Sequence, residues 1–162
     1  MASGETVFID SNIFLYHFTG RSEICRQFLK RCEQGDLHAF TGLTLMGEVC
    51  HHLMLAEAIS KKLISSKKPS QQMQEKPEIV RQLANYYEQL MNIQTWGIKV
   101  LTPPEDLLMK SQIYRSRFGL MTNDSFIPVY MQMAETDKLA SNDKTFSQIP
   151  SLNVFSPSDI TV

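Results

Sequence analysis

A chain of 162 residues is long enough to bury the core of one ordinary domain without disulfides or structural metals. Its formal net charge of −1 excludes a global electrostatic attraction to nucleic acid, so such a partner would need a local basic patch or bridging metal ions. The three cysteines form no CxxC pair, which favours reduced thiols. No apolar run approaches the ~18 residues of a membrane span and no basic leader precedes the first strand, so we expect a cytoplasmic protein without a membrane partner.

The first element is a β-branched and aromatic run over residues 6–9, which predicts a strand buried on both faces of a sheet. It ends at Asp10. In parallel α/β sheets, ligands bind outside the carboxyl ends of the strands, so Asp10 lies where chemistry is usually done. The alternative is that Asp10, Ser11 or Asn12 only caps the helix that begins near Ile13.

Helical and strand patterns alternate along the rest of the chain. Helices are predicted over 13–18, 21–34, 45–60, 77–94, 103–118 and 124–137, and strands over 37–41, 98–101, 139–141 and 152–155. Residues 61–76 hold few apolar side chains, which predicts an exposed arm or loop. The alternation implies parallel βαβ units and an α/β fold class, a three-layer α/β/α sandwich with a mostly parallel sheet of about five strands. We assign residues 1–162 to one domain, with a helical arm around 45–94.

Four acids stand out by position: Asp10 after the first strand, Glu48 early in a helix, Asp124 at a helix start and Asp143 after a late strand. The carboxyl ends of parallel strands share one edge, whereas Asp137 precedes its strand and should lie at the opposite edge. Carboxylates gathered at one edge repel each other unless they are protonated or hold a cation. Carboxylate and water ligands favour Mg²⁺ or Mn²⁺, while zinc would recruit His or Cys.

The sequence resembles a known family at four places. These are residues 7–12 (VFIDSN), the helix around Glu48, residues 119–124 (GLMTND) and residues 141–146 (SNDKTF). Together they are similar to the four acidic motifs of PIN-domain ribonucleases, in the same order and spacing over almost the whole chain. The resemblance implies a PIN-like fold and an Mg²⁺- or Mn²⁺-dependent endoribonuclease that cleaves single-stranded or structured RNA. Many small members are toxins of the VapC type, which pair with an antitoxin.

The resemblance also assigns roles to individual residues. The metal ligands, direct or through water, would be Asp10, Glu48, Asp124 and Asp143, with Asn12 and Ser141 as polar helpers. One or two ions would activate the attacking water, polarise the phosphate and stabilise the leaving oxygen, and in-line attack would leave a 5′-phosphate and a 3′-hydroxyl. Arg115 and Arg117, just before the third motif, are placed to bind phosphates. They are better placed than the lysines of residues 61–68, which a solvated loop tip explains.

One residue departs from the family pattern. Pro128 stands four positions after the third acid, where relatives usually carry a small helix-compatible residue. Proline inside a helix removes one hydrogen bond and crowds the carbonyl four residues back, here that of Asp124, at a cost of about 3 kcal/mol. A second pattern, Glu48-x-x-His51 with His52 beside it, invites a metal site, but a single copy favours polar helix residues.

Several functional alternatives stay open. The leading hypothesis is a toxin ribonuclease neutralised by an antitoxin, and the nearest alternative is a housekeeping RNA-processing PIN nuclease. An aspartyl phosphotransferase using Asp10 is disfavoured because no second acid lies two residues on, and a metal-free binding module is disfavoured because all four acids are present. Apolar residues of the helices at 48–60 and 77–94, including Tyr86 and Leu90, predict a symmetric homodimer. The alternative is that both helices pack wholly on their own sheet.

Overall fold

A computed structural model describes residues 1–160 of the protein, and residues 161–162 of the predicted domain lie outside the described part. Five strands form one sheet: β1 (Thr6–Ile9), β2 (His38–Gly42), β3 (Lys99–Leu101), β4 (Lys138–Ala140) and β5 (Asn153–Phe155). The helices are α1 (Ser11–Phe18), α2 (Glu23–Glu33), α3 (Leu43–Ser60), α4 (Pro69–Glu75), α5 (Pro77–Val80), α6 (Asn85–Thr95), α7 (Leu107–Lys110), α8 (Gln112–Phe118) and α9 (Thr122–Met133). A short 3-10 helix covers Lys144–Gln148.

The sheet is parallel throughout, with strand order β3-β2-β1-β4-β5. The central strand β1 pairs with β2 and β4, and Phe8 lies opposite both Phe40 and Leu139. Val7, Phe8 and Ile9 are fully buried, as the apolar run predicted. The predicted strands and the α/β/α sandwich are therefore confirmed.

Two hydrophobic clusters cover the two faces of the sheet. Val7 and Ile9 face a cluster that includes Phe14 of α1 and Leu29 of α2. Phe8 faces the other side, where its ring stacks on Tyr130 of α9 with centroids 5.9 Å apart. Alternate side chains of one strand thus enter opposite layers, because successive side chains of a strand point to opposite faces.

Two long predicted helices are interrupted. The helix expected over 77–94 consists of α5 and α6, and the one expected over 103–118 breaks at Ser111 between α7 and α8. The first break has a clear cause, because the Glu57 carboxylate accepts hydrogen bonds from the N–H groups of Ala84 and Tyr86 and so holds the start of α6. Helix α3 also begins two residues before the predicted start, with Gly42 at its N-cap.

The arm between α3 and α6 is folded. The sequence predicted an exposed arm or loop over 61–76; most of this stretch is exposed, and it contains the short helix α4. The arm also has a small core of its own, formed by Leu55, Ala58, Ile64, Met73, Ile79 and Leu83. The few apolar residues of the segment are enough because they meet the last turns of α3 and the residues of α5.

Helix α9 continues through Pro128, which is buried within it. The proline therefore ends no helix, although it leaves the Asp124 carbonyl without its usual partner four residues on. Cys25, Cys32 and Cys50 are free thiols, as expected. Within residues 1–160, no helix is both long and apolar enough to cross a membrane.

Candidate active site

Asp10 lies at the centre of the candidate site, directly after β1. Its backbone is extended, its N–H donates to the Ala140 carbonyl at 3.0 Å, and it takes the N-cap position of α1. Its side chain makes no capping hydrogen bond with that helix and is only 6% exposed. The capping interpretation therefore does not account for the buried carboxylate.

Neutral groups surround the Asp10 carboxylate. The Ser141 hydroxyl donates to Oδ2 at 2.6 Å, and the Asn12 amide nitrogen donates to the same oxygen at 2.5 Å. The Ser11 hydroxyl lies 3.2 Å from Oδ1. The two residues expected as polar helpers thus both contact Asp10, and they also contact each other at 3.2 Å.

The end of β4 brings the fourth motif beside the first. The Asn142 N–H donates to the Asn12 side-chain oxygen at 3.2 Å, and the Asp143 N–H donates to the Ser141 hydroxyl at 3.0 Å. Asp143 uses Oδ1 to cap the 3-10 helix, accepting from the Thr145 N–H at 2.8 Å. Adjacent strands β1 and β4 therefore end in one hydrogen-bonded network.

The pKa values of Asp10 and Asp124 are both raised, in part by the negative charges of other acids. Burial raises the pKa of Asp10 to about 6, and the negative charge of Glu48 adds to the rise while the Ser141 hydrogen bond opposes it. Burial also raises the pKa of Asp124, and the charges of Asp143 and Glu48 raise it further. Glu48 therefore acts on both Asp10 and Asp124, which places all four predicted acids in one region.

The four acids carry negative charge that no ion pair within the described residues neutralises. In the same part of the chain, no three His, Cys, Asp or Glu side chains converge tightly enough to enclose a metal ion. An all-oxygen set of spaced carboxylates and hydroxyls fits Mg²⁺ or Mn²⁺, since Mg²⁺ keeps several waters and takes only one or two carboxylates.

The two histidines near Glu48 have other neighbours. The Nε2 atom of His51 lies 3.3 Å from the Ser70 hydroxyl of α4, and the rings of His51 and His52 meet edge to face. Both histidines are exposed. These contacts agree with the interpretation of the pair as polar helix residues.

The two arginines before the third motif differ sharply. Every N–H of the Arg115 guanidinium has an internal acceptor: Ser111, Ser125, the Leu108 carbonyl and the Gln112 side chain. Arg115 thus joins α7 and α8 to Ser125, a fully buried residue next to Asp124. Arg117 is exposed, with its guanidinium 5.4 Å from the centroid of the Phe118 ring. Only Arg117 has donors free for phosphate in this arrangement.

Ser125 is the residue that sequence reasoning missed. Its hydroxyl donates to the Thr122 carbonyl at 2.6 Å and lies 2.9 Å from Arg115 Nη1. It fastens the first turn of α9, where Pro128 removes a backbone hydrogen bond. A serine inside a helical pattern carries no signal for this role, because its partner Arg115 is brought close only by the packing of α8 on α9.

The strand order, the two helical layers and the all-parallel sheet agree with the PIN-like α/β sandwich that the resemblance predicted. No family model and no curated protein matches the sequence. Among solved structures, the fold is similar to VapBC2 from Rickettsia felis, bound to a DNA fragment from its promoter. The TM-score is 0.58 at 16% identity, over 94% of this chain and 99% of that one.

Two further structures are similar in fold. A toxin–antitoxin complex from Klebsiella pneumoniae has a TM-score of 0.58 at 18% identity, over 91% of this chain and 95% of that one. VapBC-1 from nontypeable Haemophilus influenzae has a TM-score of 0.54 at 16% identity, over 93% of this chain and 97% of that one. At these identities the likeness establishes the fold alone.

Proposed function

We propose that the protein is an Mg²⁺- or Mn²⁺-dependent endoribonuclease and acts as the toxin of a VapBC-type pair. The observation that carries the proposal is the buried Asp10 carboxylate, which neutral donors surround and Glu48 repels. A buried charge without a partner is costly, so the site favours either a proton or a cation on these acids. A divalent cation would relieve the repulsion among all four.

The roles of the residues follow from their contacts. Asp10 and Glu48, with Asp124 and Asp143, would hold the ion directly or through water. When bound, such an ion supplies Lewis-acid activation of water and neutralises phosphate charge. Ser141 and Asn12 orient the Asp10 carboxylate by donating to its Oδ2 atom. The Arg117 guanidinium is free to contact a phosphate outside the acids.

The fold neighbours suggest the biological setting. The complexes from Klebsiella pneumoniae, Rickettsia felis and Haemophilus influenzae are toxin–antitoxin assemblies. By analogy, this chain would bind an antitoxin. The proposed homodimer rests instead on the apolar residues of the helical segments 48–60 and 77–94. A housekeeping RNA-processing role is the alternative.

Cleavage of an RNA panel tests the proposed chemistry. We expect the purified chain to cut RNA in Mg²⁺ or Mn²⁺ but not in EDTA, and Asp10→Asn to abolish cutting while the variant folds. Asp137→Asn is the matched control, because Asp137 precedes β4 at the opposite edge and pairs with Asn153. Cleavage by Asp10→Asn at the wild-type rate would refute the assignment.

Expression in a bacterial host tests the toxin role. We expect growth arrest with the wild-type chain, normal growth with Asp10→Asn, and rescue by the product of an adjacent antitoxin gene. RNA cleavage in vitro without growth arrest would favour the housekeeping alternative.

A further inference from the structure

The turn between α3 and α4 carries unbalanced positive charge. Residues 61–68 contain four lysines and no acid. Lys61 is paired with Glu57, but none of the ion pairs within residues 1–160 includes Lys67 or Lys68, and both are exposed. The charge of these two lysines is therefore available to an external anion.

This turn is held in one conformation by internal contacts. The Gln72 side chain accepts from the Ser65 N–H at 3.1 Å, donates to the Ser65 hydroxyl at 3.0 Å and also donates to the Lys67 carbonyl. Below the turn, Ile64 and Met73 are buried in the arm's own core. The two lysines therefore stand on a folded surface, so less conformational entropy is lost when they bind a ligand.

The chain returns along α3 after Ser60, so the start of α4 lies beside the middle of that helix. Ser70 of α4 contacts His51 of α3 at 3.3 Å. His51 follows Glu48 by three positions, so the two share one face of the helix, one turn apart. Lys67 and Lys68, just before Ser70, lie beside the helix face that leads to the acids.

The backbone of Lys68 gives a separate argument for its side chain. Lys68 has φ 51° and ψ 54°, in the left-handed region, which glycine adopts with less strain than any residue with a Cβ atom. Backbone stability alone therefore favours glycine at this position. The lysine therefore supplies its positive charge at a conformational cost.

We propose that Lys67 and Lys68 bind backbone phosphates of single-stranded RNA where the strand leaves the acidic site. This proposal rests on the proposed function. Because the acids repel phosphates, the substrate needs cationic contacts beyond the metal, and lysine ammonium groups supply them whatever the base sequence. The arm would thus extend the substrate-binding surface.

Fluorescence anisotropy with labelled oligouridine in EDTA, over a series of salt concentrations, tests the proposal without cleavage. For single strands, log K falls by about 0.7 per log unit of salt for each phosphate contact. Loss of two contacts in K67A/K68A should lower the slope by about 1.4 and weaken binding about 25-fold at about 0.1 M salt. The control K30A/K99A removes two exposed lysines near the opposite edge of the sheet and should retain the wild-type slope.

The variant K68G separates binding from folding. K68G should keep or raise the melting temperature, because it relieves the left-handed strain. It should also lower the salt-dependence slope by about 0.7, which is half of the decrease expected for K67A/K68A.

The outcomes distinguish the two proposals. If K67A/K68A matches the affinity and slope of the wild-type chain while that chain cleaves RNA in Mg²⁺, the arm proposal alone is overturned, even if the variant fails to bind an antitoxin. If the wild-type chain binds RNA through these lysines but never cleaves it, the nuclease proposal alone fails. If it does neither, both fail.

Discussion

The Ser141 hydroxyl donates a 2.6 Å hydrogen bond to Oδ2 of Asp10, joining two residues 131 positions apart in the sequence. The same hydroxyl accepts from the Asp143 N–H at 3.0 Å. One side chain thus connects the first and fourth motifs and fixes the orientation of the central carboxylate.

Ser141→Ala should disturb both contacts. Because the Ser141 hydrogen bond lowers the pKa of Asp10, its loss should raise that pKa further above about 6. Loss of the hydrogen bonds that the Ser141 hydroxyl makes with Asp10 and Asp143 should also cost about 1–3 kcal/mol of unfolding free energy. NMR titration of the Asp10 carboxyl and chemical denaturation measure the two effects. Ser116→Ala, at an exposed position of α8, should change neither; an unchanged Asp10 pKa in Ser141→Ala would contradict the argument.

The raised pKa of Asp10 makes stability depend on pH. The folded chain holds the Asp10 proton up to about pH 6, whereas the pKa of a free aspartic acid side chain is 3.8. The folded state therefore binds more protons between these values, so stability falls as pH rises from about 4 to about 6. In EDTA at pH 8, Asp10→Asn should be more stable than the wild type by on the order of 3 kcal/mol, with no difference below pH 4. Denaturation at both pH values checks this, and Mg²⁺ should stabilise the wild type more than the variant.

Glu57 should show the opposite pH dependence. Burial opposes its ionisation, but hydrogen bonds from Lys61 and from the N–H groups of Ala84 and Tyr86 outweigh burial and hold its pKa at about 2. Its contribution to stability is complete above the free value of 4.5 and is lost as pH falls toward 2. Glu57→Gln should cost about 2 kcal/mol at pH 7 and progressively less below pH 4. The exposed Glu88→Gln serves as the control in urea denaturation; equal stability of both variants at pH 7 would refute the capping role.

Substitution of Arg115 should lower stability, whereas substitution of Arg117 should weaken RNA binding. Arg115→Lys keeps the charge but cannot serve all the acceptors of the guanidinium, so it should cost about 2 kcal/mol and speed hydrogen exchange in the first turn of α9. Arg117→Ala should leave stability unchanged and weaken RNA binding, because Arg117 is exposed and its guanidinium lies over the Phe118 ring. If Arg115→Lys weakens RNA binding without loss of stability and Arg117→Ala does not weaken it, Arg115 rather than Arg117 binds phosphate.

A test of the predicted dimer needs two residues other than those that the sequence suggests. Tyr86 and Leu90 pack against the core of the chain, whereas Tyr87 and Met91 of α6 are 60% and 40% exposed. If α6 forms the two-fold interface, Tyr87→Glu/Met91→Glu should convert a dimer to a monomer in light scattering. Met133→Glu, on α9, is the control and should stay dimeric. A monomeric wild type would remove the dimer prediction.

The sequence determined the elements that depend on local pattern. A run of buried apolar residues ending at Asp10 predicted a central strand and an acid at its carboxyl end, and both are present. The alternation of strands and helices predicted the parallel sandwich for the same reason, since periodicity and length are local properties. The neighbouring positions of Asp10 and Asp143 followed from the sequence, because both come after parallel strands, whose carboxyl ends share one edge.

Only the tertiary structure decided the contacts between distant segments. Glu57 interrupts the helix predicted over 77–94 by holding the start of α6, and Arg115 fastens the turn of α9 that Pro128 weakens. The arm's small core forms because α4 and α5 meet the end of α3. Local propensity carries none of this information, because a carboxylate or a guanidinium shows its partners only after packing brings them within hydrogen-bond distance.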